Sequence, residues 1–376
     1  MKKSAAALSL IMVFCTVFTA CSTPPMAATV PETAEQTSQP TPSPTPIATP
    51  KATPVPSTPP ATPTPEPTPE PTPEPAPTPD PNDVFFSEEE TVFINDDRTV
   101  FSYKSVTLGV EIEQRFHERG NVRYWVAHIR TREQEKIQTA FSNKAAPGYR
   151  RFKPYRVARQ HKAVYVQNGD FFIEQVNPQG VVIRQGEVYM DDIKADTMAI
   201  LPDGTIKLYW AGEIRAAELL EMGVTDALSF GPILIYDGVV NDGLGKARLR
   251  GRNPRSGIGM VDEHHFVGIV VEGRYDKQGN GVTLEEYAQL FFEEGCVQAY
   301  NFDGGASSSM VFMGDSCNAH GVTDGVFGQR PVPEIIYFGI SDLVPAERDK
   351  IINDGQNNLP LPEKVETVNY ATTAPP

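Results

Sequence analysis

Residues 266–305 read FVGIVVEGRYDKQGNGVTLEEYAQLFFEEGCVQAYNFDGG, and this stretch decides how the folded part of the chain is built. Its first six residues form a continuous apolar run, which predicts a strand buried on both faces. Thr283 and Glu286 have the spacing of a capping box, and apolar residues with helical spacing follow as far as Gly295, which predicts a helix. Residues 296–302 predict a second strand, which delivers Asp303 and two glycines to a loop where a site can form.

The sequence on either side of this unit is rich in strands. Residues 124–129 and 163–166 are apolar and β-prone, and residues 197–201 and 205–210 flank a Pro-Asp-Gly turn that predicts a hairpin. We therefore predict an α+β fold in which a mixed, mostly antiparallel β-sheet core carries flanking helices.

The N-terminus predicts export from the cytoplasm. Two lysines precede an apolar run at residues 5–20, which is shorter than the roughly 18–20 residues that a spanning helix needs. The run ends in Phe-Thr-Ala-Cys, which resembles a bacterial lipobox, although Phe18 stands where Leu is usual. We predict that residues 1–21 are a signal peptide and that Cys21 carries a lipid anchor on the outer face of the cytoplasmic membrane. Cleavage by an ordinary signal peptidase and an uncleaved signal are the alternatives.

Residues 22–82 predict a disordered stalk. This segment holds well over half of the 35 prolines in the chain, and residues 63–75 repeat Pro-Thr-Pro-Glu. Proline fixes φ and removes a backbone donor, so the stalk is expected to adopt extended polyproline II structure with no core. The stalk is interpreted as a spacer, with a Pro-rich ligand for a partner domain as the alternative.

Residues 83–346 are long enough for one large domain, and a polar tail follows at residues 347–376. The formal net charge of −15 argues against nucleic acid or an acidic membrane surface as the partner. Cys296 and Cys317 are the two cysteines of the domain, and both a disulfide bond and two buried thiols are compatible with the sequence. The sequence indicates no cofactor, and no structural zinc site is expected because neither a CxxC motif nor a Cys/His cluster occurs.

Four segments place glycines beside charged or hydroxyl side chains: residues 168–172, 229–234, 252–274 and 301–310. Glycine allows the backbone to approach a ligand closely, and consecutive amides can bind an anion. Arginine presents a planar fork of donors that matches phosphate oxygens, and carboxylates supply the acid and base of glycosidic cleavage. Together these segments predict a pocket for a sugar that is joined to phosphate.

In these segments the sequence resembles the phosphodiester glycosidase family. The matching elements occur in the family's order at Asn168–Phe172, Gly231–Leu234, Pro254–Gly259, Glu272–Arg274, Asp303–Ser308 and Arg330–Pro333. This chain departs from the family pattern at Asp170, Glu272 and Ala306. The resemblance covers residues 140–342 and implies hydrolysis of a glycosyl phosphodiester, in cell-envelope or exopolysaccharide glycans, to a free sugar and a phosphomonoester.

Roles for individual residues are assigned as hypotheses on these motifs. Asp303 and Glu272 are the predicted catalytic carboxylates, with an Asx-turn and a buried ion pair with Arg274 as their structural alternatives. The predicted ligands of substrate and phosphate are Asn168, Asp170, Arg255, Arg274, Gly304, Gly305, Ser307 and Ser308. A binding module or an assembly factor for phosphorylated glycans is the alternative function. An enzyme is favoured if Asp303 and Glu272 face one pocket, since a binding module needs only the arginines.

Overall fold

The computed structural model describes residues 84–143, 151–172, 180–274, 279–323 and 326–346. All of these residues belong to one unit, Glu74–Pro376. The predicted signal peptide, Cys21, the stalk and the tail lie outside the described residues. Within the described ranges, no helix is both long enough and apolar enough to cross a membrane.

Strands dominate the described part of the chain. In chain order they are β1 (Thr91–Ile94), β2 (Val100–Lys104), β3 (Leu108–His117), β4 (Val122–Thr131), β5 (Gln138–Phe141), β6 (Ala163–Asn168), β7 (Val181–Arg184), β8 (Glu187–Asp191), β9 (Thr197–Ile200), β10 (Ile206–Tyr209), β11 (Asp226–Leu228), β12 (Ile233–Tyr236), β13 (Val239–Val240), β14 (Arg255–Asp262), β15 (His265–Val271), β16 (Gln298–Asn301), β17 (Met310–Phe312), β18 (Asp315–Ser316), β19 (Val322–Thr323), β20 (Val326–Phe327) and β21 (Glu334–Ile340). The α-helices are α1 (Pro154–Gln160), α2 (Ala216–Glu221) and α3 (Leu284–Glu293).

The strands form a nine-stranded sheet, β1-β2-β3-β4-β15-β14-β16-β12-β13, two five-stranded sheets, β10-β9-β11-β7-β8 and β18-β17-β6-β21-β5, and a β19-β20 pair. The prediction of a mostly antiparallel core with flanking helices is confirmed, but the sheets are not mixed. Every strand pairing among the described residues is antiparallel. The reason is that β14 lies between β15 and β16, so the two strands joined through α3 are not neighbours. With so little helix, the fold is largely β.

The central strands of the nine-stranded sheet are buried on both faces. Trp125, Phe266 and Tyr300 on one face pack in a cluster with residues of both five-stranded sheets. Val267 and Ile269, which alternate with Phe266 along β15, pack on the other face against α3. Helices α1 and α2 cover the outer faces of the smaller sheets. The prediction that β15 is buried on both faces is therefore confirmed.

Helix α3 begins as the capping box predicts. The Thr283 hydroxyl accepts from the Glu286 amide at 3.1 Å, and the Glu286 carboxylate accepts from the Thr283 amide at 3.0 Å. Gly295 follows with φ +79, the left-handed conformation that ends a helix. The predicted hairpin is also confirmed, because β9 and β10 pair in antiparallel register.

The motif-bearing loops meet at one end of the stacked sheets. Strands β6, β15 and β16 end there, and β14, β17 and β21 begin there. Cys296 and Cys317 are both buried and are not joined by a disulfide bond, so the disulfide alternative is not observed.

Candidate active site

The loop that follows β16 contains Asp303 and is held tightly against the chain beneath it. A Cβ atom on Gly304 would lie 2.5 Å from the Pro254 carbonyl oxygen, so a side chain does not fit there. Gly305 has φ +65, and its amide donates to the same Pro254 oxygen at 3.0 Å. The close backbone approach that the glycines allow is thus made to Pro254, and their contact with a ligand stays a prediction.

Asn168 fixes the position of this loop from the end of β6. Its Nδ2 donates to the Asp303 carbonyl oxygen at 2.8 Å, and its Oδ1 accepts from the Ser309 amide at 3.0 Å. The Asp303 amide in turn donates to the Gly169 carbonyl at 3.3 Å. Asn168 is therefore a clamp that spans both ends of the loop, and these contacts give its predicted role as a sugar or phosphate ligand no support.

The Asp303 carboxylate is not completely buried. Its side chain is 13% exposed, and its Oδ2 lies 3.5 Å from Nη1 of Arg330, which also donates to the Ser307 hydroxyl at 3.2 Å. Burial raises the pKa of Asp303 to about 6, against opposing effects of the Ser307 hydroxyl and the Arg330 guanidinium. Such a carboxyl changes its protonation state close to neutral pH, which suits it to acid–base catalysis.

Arg330 is a site residue that the sequence roles above do not include. Its guanidinium lies 5.4 Å from the centroid of the Phe171 ring and remains 30% exposed. Its amide donates to the Ala306 carbonyl at 2.9 Å, which ties residue 330 to the Asp303 loop. The sequence does contain a signal for it, since Arg330 opens the Arg-Pro-Val-Pro element quoted above.

A second arginine, Arg274, also lies close to the Asp303 loop, at Gly305. Its Nη1 would lie 3.1 Å from a Cβ atom on Gly305, and its Nη2 donates to Asn253 Oδ1 at 2.7 Å. Arg274 has φ +63, a conformation that is uncommon for a residue with a side chain and that often occurs at functional sites. The guanidiniums of Arg274 and Arg330 thus both lie close to the Asp303–Ser307 segment, at Gly305 and at Asp303 with Ser307 respectively.

Glu272 does not share the partial exposure of Asp303. Its side chain is 1% exposed, and its Oε2 accepts from Arg123 Nε at 2.9 Å. Its Oε1 accepts from Trp125 Nε1 at 2.8 Å and from the Ala319 amide at 2.9 Å. The buried ion pair that the sequence suggested does exist, but its partner is Arg123 rather than Arg274. Catalysis by Glu272 stays a prediction, and the geometry does not favour it.

Arg255 is also buried, and its donors are used within the protein. Nε donates to the Val282 carbonyl at 3.3 Å, and Nη2 donates to the Leu249 carbonyl at 2.7 Å and to the Gly251 carbonyl. Burial lowers the pKa of Arg255 to about 10. These contacts indicate a residue that organises the 249–255 loop, and they leave its predicted phosphate contact without support.

Asp170 lies behind the Asp303 loop in a buried group with Arg184 and Glu334. Its Oδ2 accepts from Arg184 Nη2 at 3.0 Å and from the Ser229 amide at 2.7 Å. Arg184 Nη2 also lies 3.4 Å from the Glu334 carboxyl, and all three side chains are at most 2% exposed. Burial, followed by the neighbouring Asp170, raises the pKa of Glu334 well above its usual range. Two carboxyls and one guanidinium thus lie together out of contact with solvent, and the protonated form of Glu334 is favoured there.

The serines after Gly305 face inward. Ser307 contacts Arg330, whereas Ser309 Oγ accepts from Gln329 Nε2 at 2.9 Å and lies 3.2 Å from Nε2 of the buried His320. Ser308 is 1% exposed, and its hydroxyl has no hydrogen-bond partner among the described residues. Of the two predicted serine ligands, Ser307 therefore lies at Asp303 and Ser308 points into the protein. In the ranges that the structure covers, no group of three or more His, Cys, Asp or Glu side chains could hold a metal ion.

Comparison with known proteins shows what this region is similar to. One relative, the SPbeta prophage-derived uncharacterized protein YomE of Bacillus subtilis, is 28% identical over 193 residues, which are 50% of this chain and 29% of YomE. This chain therefore spans less than a third of the length of that relative.

Two solved structures were found to be similar to part of this chain. The catalytic domain of zebrafish N-acetylglucosamine-1-phosphodiester alpha-N-acetylglucosaminidase, described as auto-inhibited by its pro-peptide, has a TM-score of 0.49 at 16% identity over 66% of this chain and 87% of its own. A hypothetical protein from Synechocystis has a TM-score of 0.48 at 15% identity over 62% of each chain. The phosphodiester glycosidase family model matches residues 161–339. This match confirms the resemblance of residues 161–339 to the phosphodiester glycosidase family.

Proposed function

We propose that this domain hydrolyses a sugar phosphodiester to a free sugar and a phosphomonoester. Its family points to hydrolysis of this bond. The observation that carries the proposal is the Asp303 carboxyl, whose pKa burial raises to about 6 while the Arg330 guanidinium lies 3.5 Å away. A partly protonated carboxyl next to a partly exposed arginine is suited to an ester whose leaving group is an anionic phosphate.

In this mechanism Arg330 binds an oxygen of the substrate phosphate. Water attacks the anomeric carbon and releases one proton to the solvent, from which Asp303 regains a proton after turnover. The bond from that carbon to the phosphate oxygen breaks, and the electron pair stays on the phosphate. Asp303 gives its proton to this oxygen, and Arg330 stabilises the charge that develops. Because an ionised Asp303 next to Arg330 would repel the phosphate, the protonated form is the one that fits the bound substrate.

The mechanism does not require Glu272 as a second catalytic carboxylate. A phosphate monoester is a far better leaving group than the sugar alkoxide of an ordinary glycoside, so less assistance is needed at the anomeric carbon. We propose that Glu272 instead anchors the segment before Arg274, because its carboxylate joins Arg123, Trp125 and the Ala319 amide. That anchor supports the position of the Arg274 guanidinium over Gly305.

We also propose that the enzyme acts outside the cell, on cell-envelope or exopolysaccharide glycans. The apolar segment before Cys21 and the Pro-rich stretch at 22–82 support this location. About 60 stalk residues at ~3.1 Å each would reach on the order of 150–190 Å in extended polyproline II structure. The domain would then work within the thickness of a wall layer, on a lipid anchor at Cys21.

The test is to incubate the purified chain with several sugar-1-phosphate esters, including an ester of N-acetylglucosamine-1-phosphate, and to measure free sugar and phosphomonoester. Equal amounts of the two products are expected. Release of neither product from any of the esters would overturn the proposal. In ¹⁸O-labelled water, the label is expected in the sugar, and label in the phosphate would show that the P–O bond breaks instead.

The alternative is a non-catalytic module that binds phosphorylated glycans. The burial of Glu272 favours it, because Asp303 and Glu272 do not both face solvent. The two functions differ in whether the phosphodiester is hydrolysed or stays intact. A binding module would retain the intact ester, detected by calorimetry, without any free sugar appearing over many hours.

A further inference from the structure

The chain contains a basic segment at residues 136–169 despite its acidic composition. Residues 136–169 contain eight Lys or Arg and no Asp or Glu, whereas the whole chain has a formal net charge of −15. This segment includes α1 and runs up to Asn168, whose side chain clamps the Asp303 loop. Eight of the 33 Lys and Arg residues of the chain therefore fall in one stretch of sequence, and the end of that stretch lies at the candidate active site.

Some of these cations are neutralised within the protein and others are not. Arg159 pairs with Asp315 at 3.0 Å, and Lys162 pairs with Asp342. Arg151, Lys153 and Arg156 have no carboxylate within salt-bridge distance in the part of the chain that the structure describes. Arg151 and Arg156 are exposed, and Lys153 is partly exposed. We call these three residues the basic surface.

Aromatic rings hold the cations of the basic surface in place. The Arg156 guanidinium lies 4.1 Å from the Phe152 ring centroid, the Arg151 guanidinium 5.6 Å from that of Phe171, and the Lys153 ammonium 6.0 Å from that of Tyr155. A ring face attracts a cation but leaves its N–H donors open, so these groups remain able to bind an anion. A cation that is already ordered loses less entropy when a ligand binds.

The basic surface continues directly from the proposed phosphate position. Arg151 and Arg330 both contact the Phe171 ring, at 5.6 and 5.4 Å, and Arg330 reaches Asp303. Phe152, whose ring contacts the Arg156 guanidinium, forms a β-bridge with Val332. Val332 lies two residues after Arg330 in the chain. The cations thus extend away from Asp303 through Arg330, which is the side on which the proposed mechanism places the leaving phosphate.

We propose that the basic surface binds further phosphates of the leaving group, so that the substrate is a sugar carried on a polymer with repeated phosphodiesters. This inference rests on the proposed function for its orientation. Arginine side chains with open donors match phosphate oxygens, and several cations in a row favour a chain of charges over a single one. The recognised partner is a phosphate-repeat glycan, in which charge recurs along a flexible polyol or sugar backbone.

Binding can be tested separately from catalysis with a glycerol phosphate oligomer that carries no sugar. The full chain is titrated with this oligomer by calorimetry at several salt concentrations. In the double variant Arg151→Gln/Arg156→Gln, affinity is expected to fall roughly tenfold or more and the salt dependence to become shallower. The variant Arg151→Lys/Arg156→Lys, which keeps both charges, is expected to bind within about threefold of wild type.

The matched control is Lys207→Gln. Lys207 is an exposed cation on β10 that lies 5.4 Å from the Tyr209 ring centroid, outside the basic surface. This variant is expected to bind the oligomer as wild type does. The KM for a sugar-1-phosphate ester with a small neutral aglycone is also expected to stay unchanged in the Arg151→Gln/Arg156→Gln variant.

Two results would overturn the inference: unchanged oligomer binding by the double Gln variant, or equally tight binding of single-stranded DNA or a sulfated glycan of the same charge. Oligomer binding without hydrolysis of any sugar phosphodiester would leave the binding surface in place while the proposed function fails. Hydrolysis of a small ester without oligomer binding would support the proposed function and overturn the inference about the basic surface.

Discussion

Two carboxylate–guanidinium pairs lie at the same end of this fold and differ in how completely they are satisfied. Glu272 and Arg123 are 1% and 3% exposed and meet at 2.9 Å, and two further donors complete the carboxylate. Asp303 and Arg330 are 13% and 30% exposed and meet at 3.5 Å. Both acidic residues follow predicted strands and stand beside glycines, so the sequence makes them look equivalent.

The difference shows that the hydrogen-bond donors around a carboxylate, rather than its position in a sequence motif, decide whether it can act on a substrate. A carboxylate that already accepts three hydrogen bonds stabilises the fold and has little capacity left for a substrate. One that is desolvated but incompletely paired has a raised pKa and can accept a new partner. We therefore expect Glu272 to matter for stability and Asp303 to matter for catalysis.

The largest effect is expected for Asp303→Asn. The amide keeps the size of the side chain but cannot donate the acidic proton, so kcat/KM for a sugar phosphodiester should fall by about 10³-fold or more. The assay is sugar release, with thermal unfolding measured in parallel. A variant that folds and retains more than a tenth of the activity would show that Asp303 is not the catalytic acid.

Glu272→Gln should lower the free energy of unfolding by about 3 kcal/mol, because Arg123 is left buried without its counter-charge. Denaturant titration measures this change. The control is Glu111→Gln, which breaks a 3.9 Å pair between Lys104 and the 45% exposed Glu111 and should cost less than about 0.5 kcal/mol. If Glu272→Gln abolished turnover without lowering the free energy of unfolding, Glu272 would have to be assigned a catalytic role.

Arg330→Gln should raise KM by roughly 10- to 100-fold, which is the range for losing one charged hydrogen bond to phosphate. Steady-state kinetics would measure it. Arg98→Gln is the matched control, since Arg98 is 31% exposed and lies 3.6 Å from the buried Asp315, much as Arg330 lies by Asp303. Equal effects of the two substitutions on KM would contradict a specific role for Arg330.

The pH dependence should follow the Asp303 carboxyl. Because burial raises its pKa to about 6, kcat/KM is expected to fall about tenfold per pH unit above that value. The native state binds this proton more firmly than the unfolded state does, so its contribution to stability is present at low pH and is lost as pH rises through 6. Asp303→Asn should therefore be more stable than wild type at pH 7, by up to about 2 kcal/mol. Activity that rises between pH 6 and 8 would assign Asp303 the role of a base.

Local patterns in the sequence predicted much of this fold but could not assign the ion-pair and hydrogen-bond partners of its polar side chains. The capping box at Thr283 and the run at residues 266–271 determine α3 and β15 through near neighbours, and both were predicted. Arg123, which makes Glu272 an anchor, is 149 residues away along the chain, so no spacing rule connects the two. Arg330 lies 27 residues after Asp303, and only its motif marked it. The sequence therefore predicted which loops meet, but not which of their polar groups are already satisfied.

The smallest effect is expected for Glu334→Gln in the buried group of Asp170, Arg184 and Glu334, where two substitutions separate burial from charge. Burial and the neighbouring Asp170 raise the pKa of Glu334 well above its usual range, so this carboxyl keeps its proton toward neutral pH. Glu334→Gln replaces one neutral side chain by another and should cost less than about 1 kcal/mol. Asp170→Asn removes the partner of the Arg184 guanidinium, at 3.0 Å, and should cost about 3 kcal/mol. Unfolding of both variants at pH 7 is the measurement. Equal losses would mean that both carboxyls are ionised, and the two Glu side chains that come nearest to the motif loops, 272 and 334, would then be anchors of the same kind.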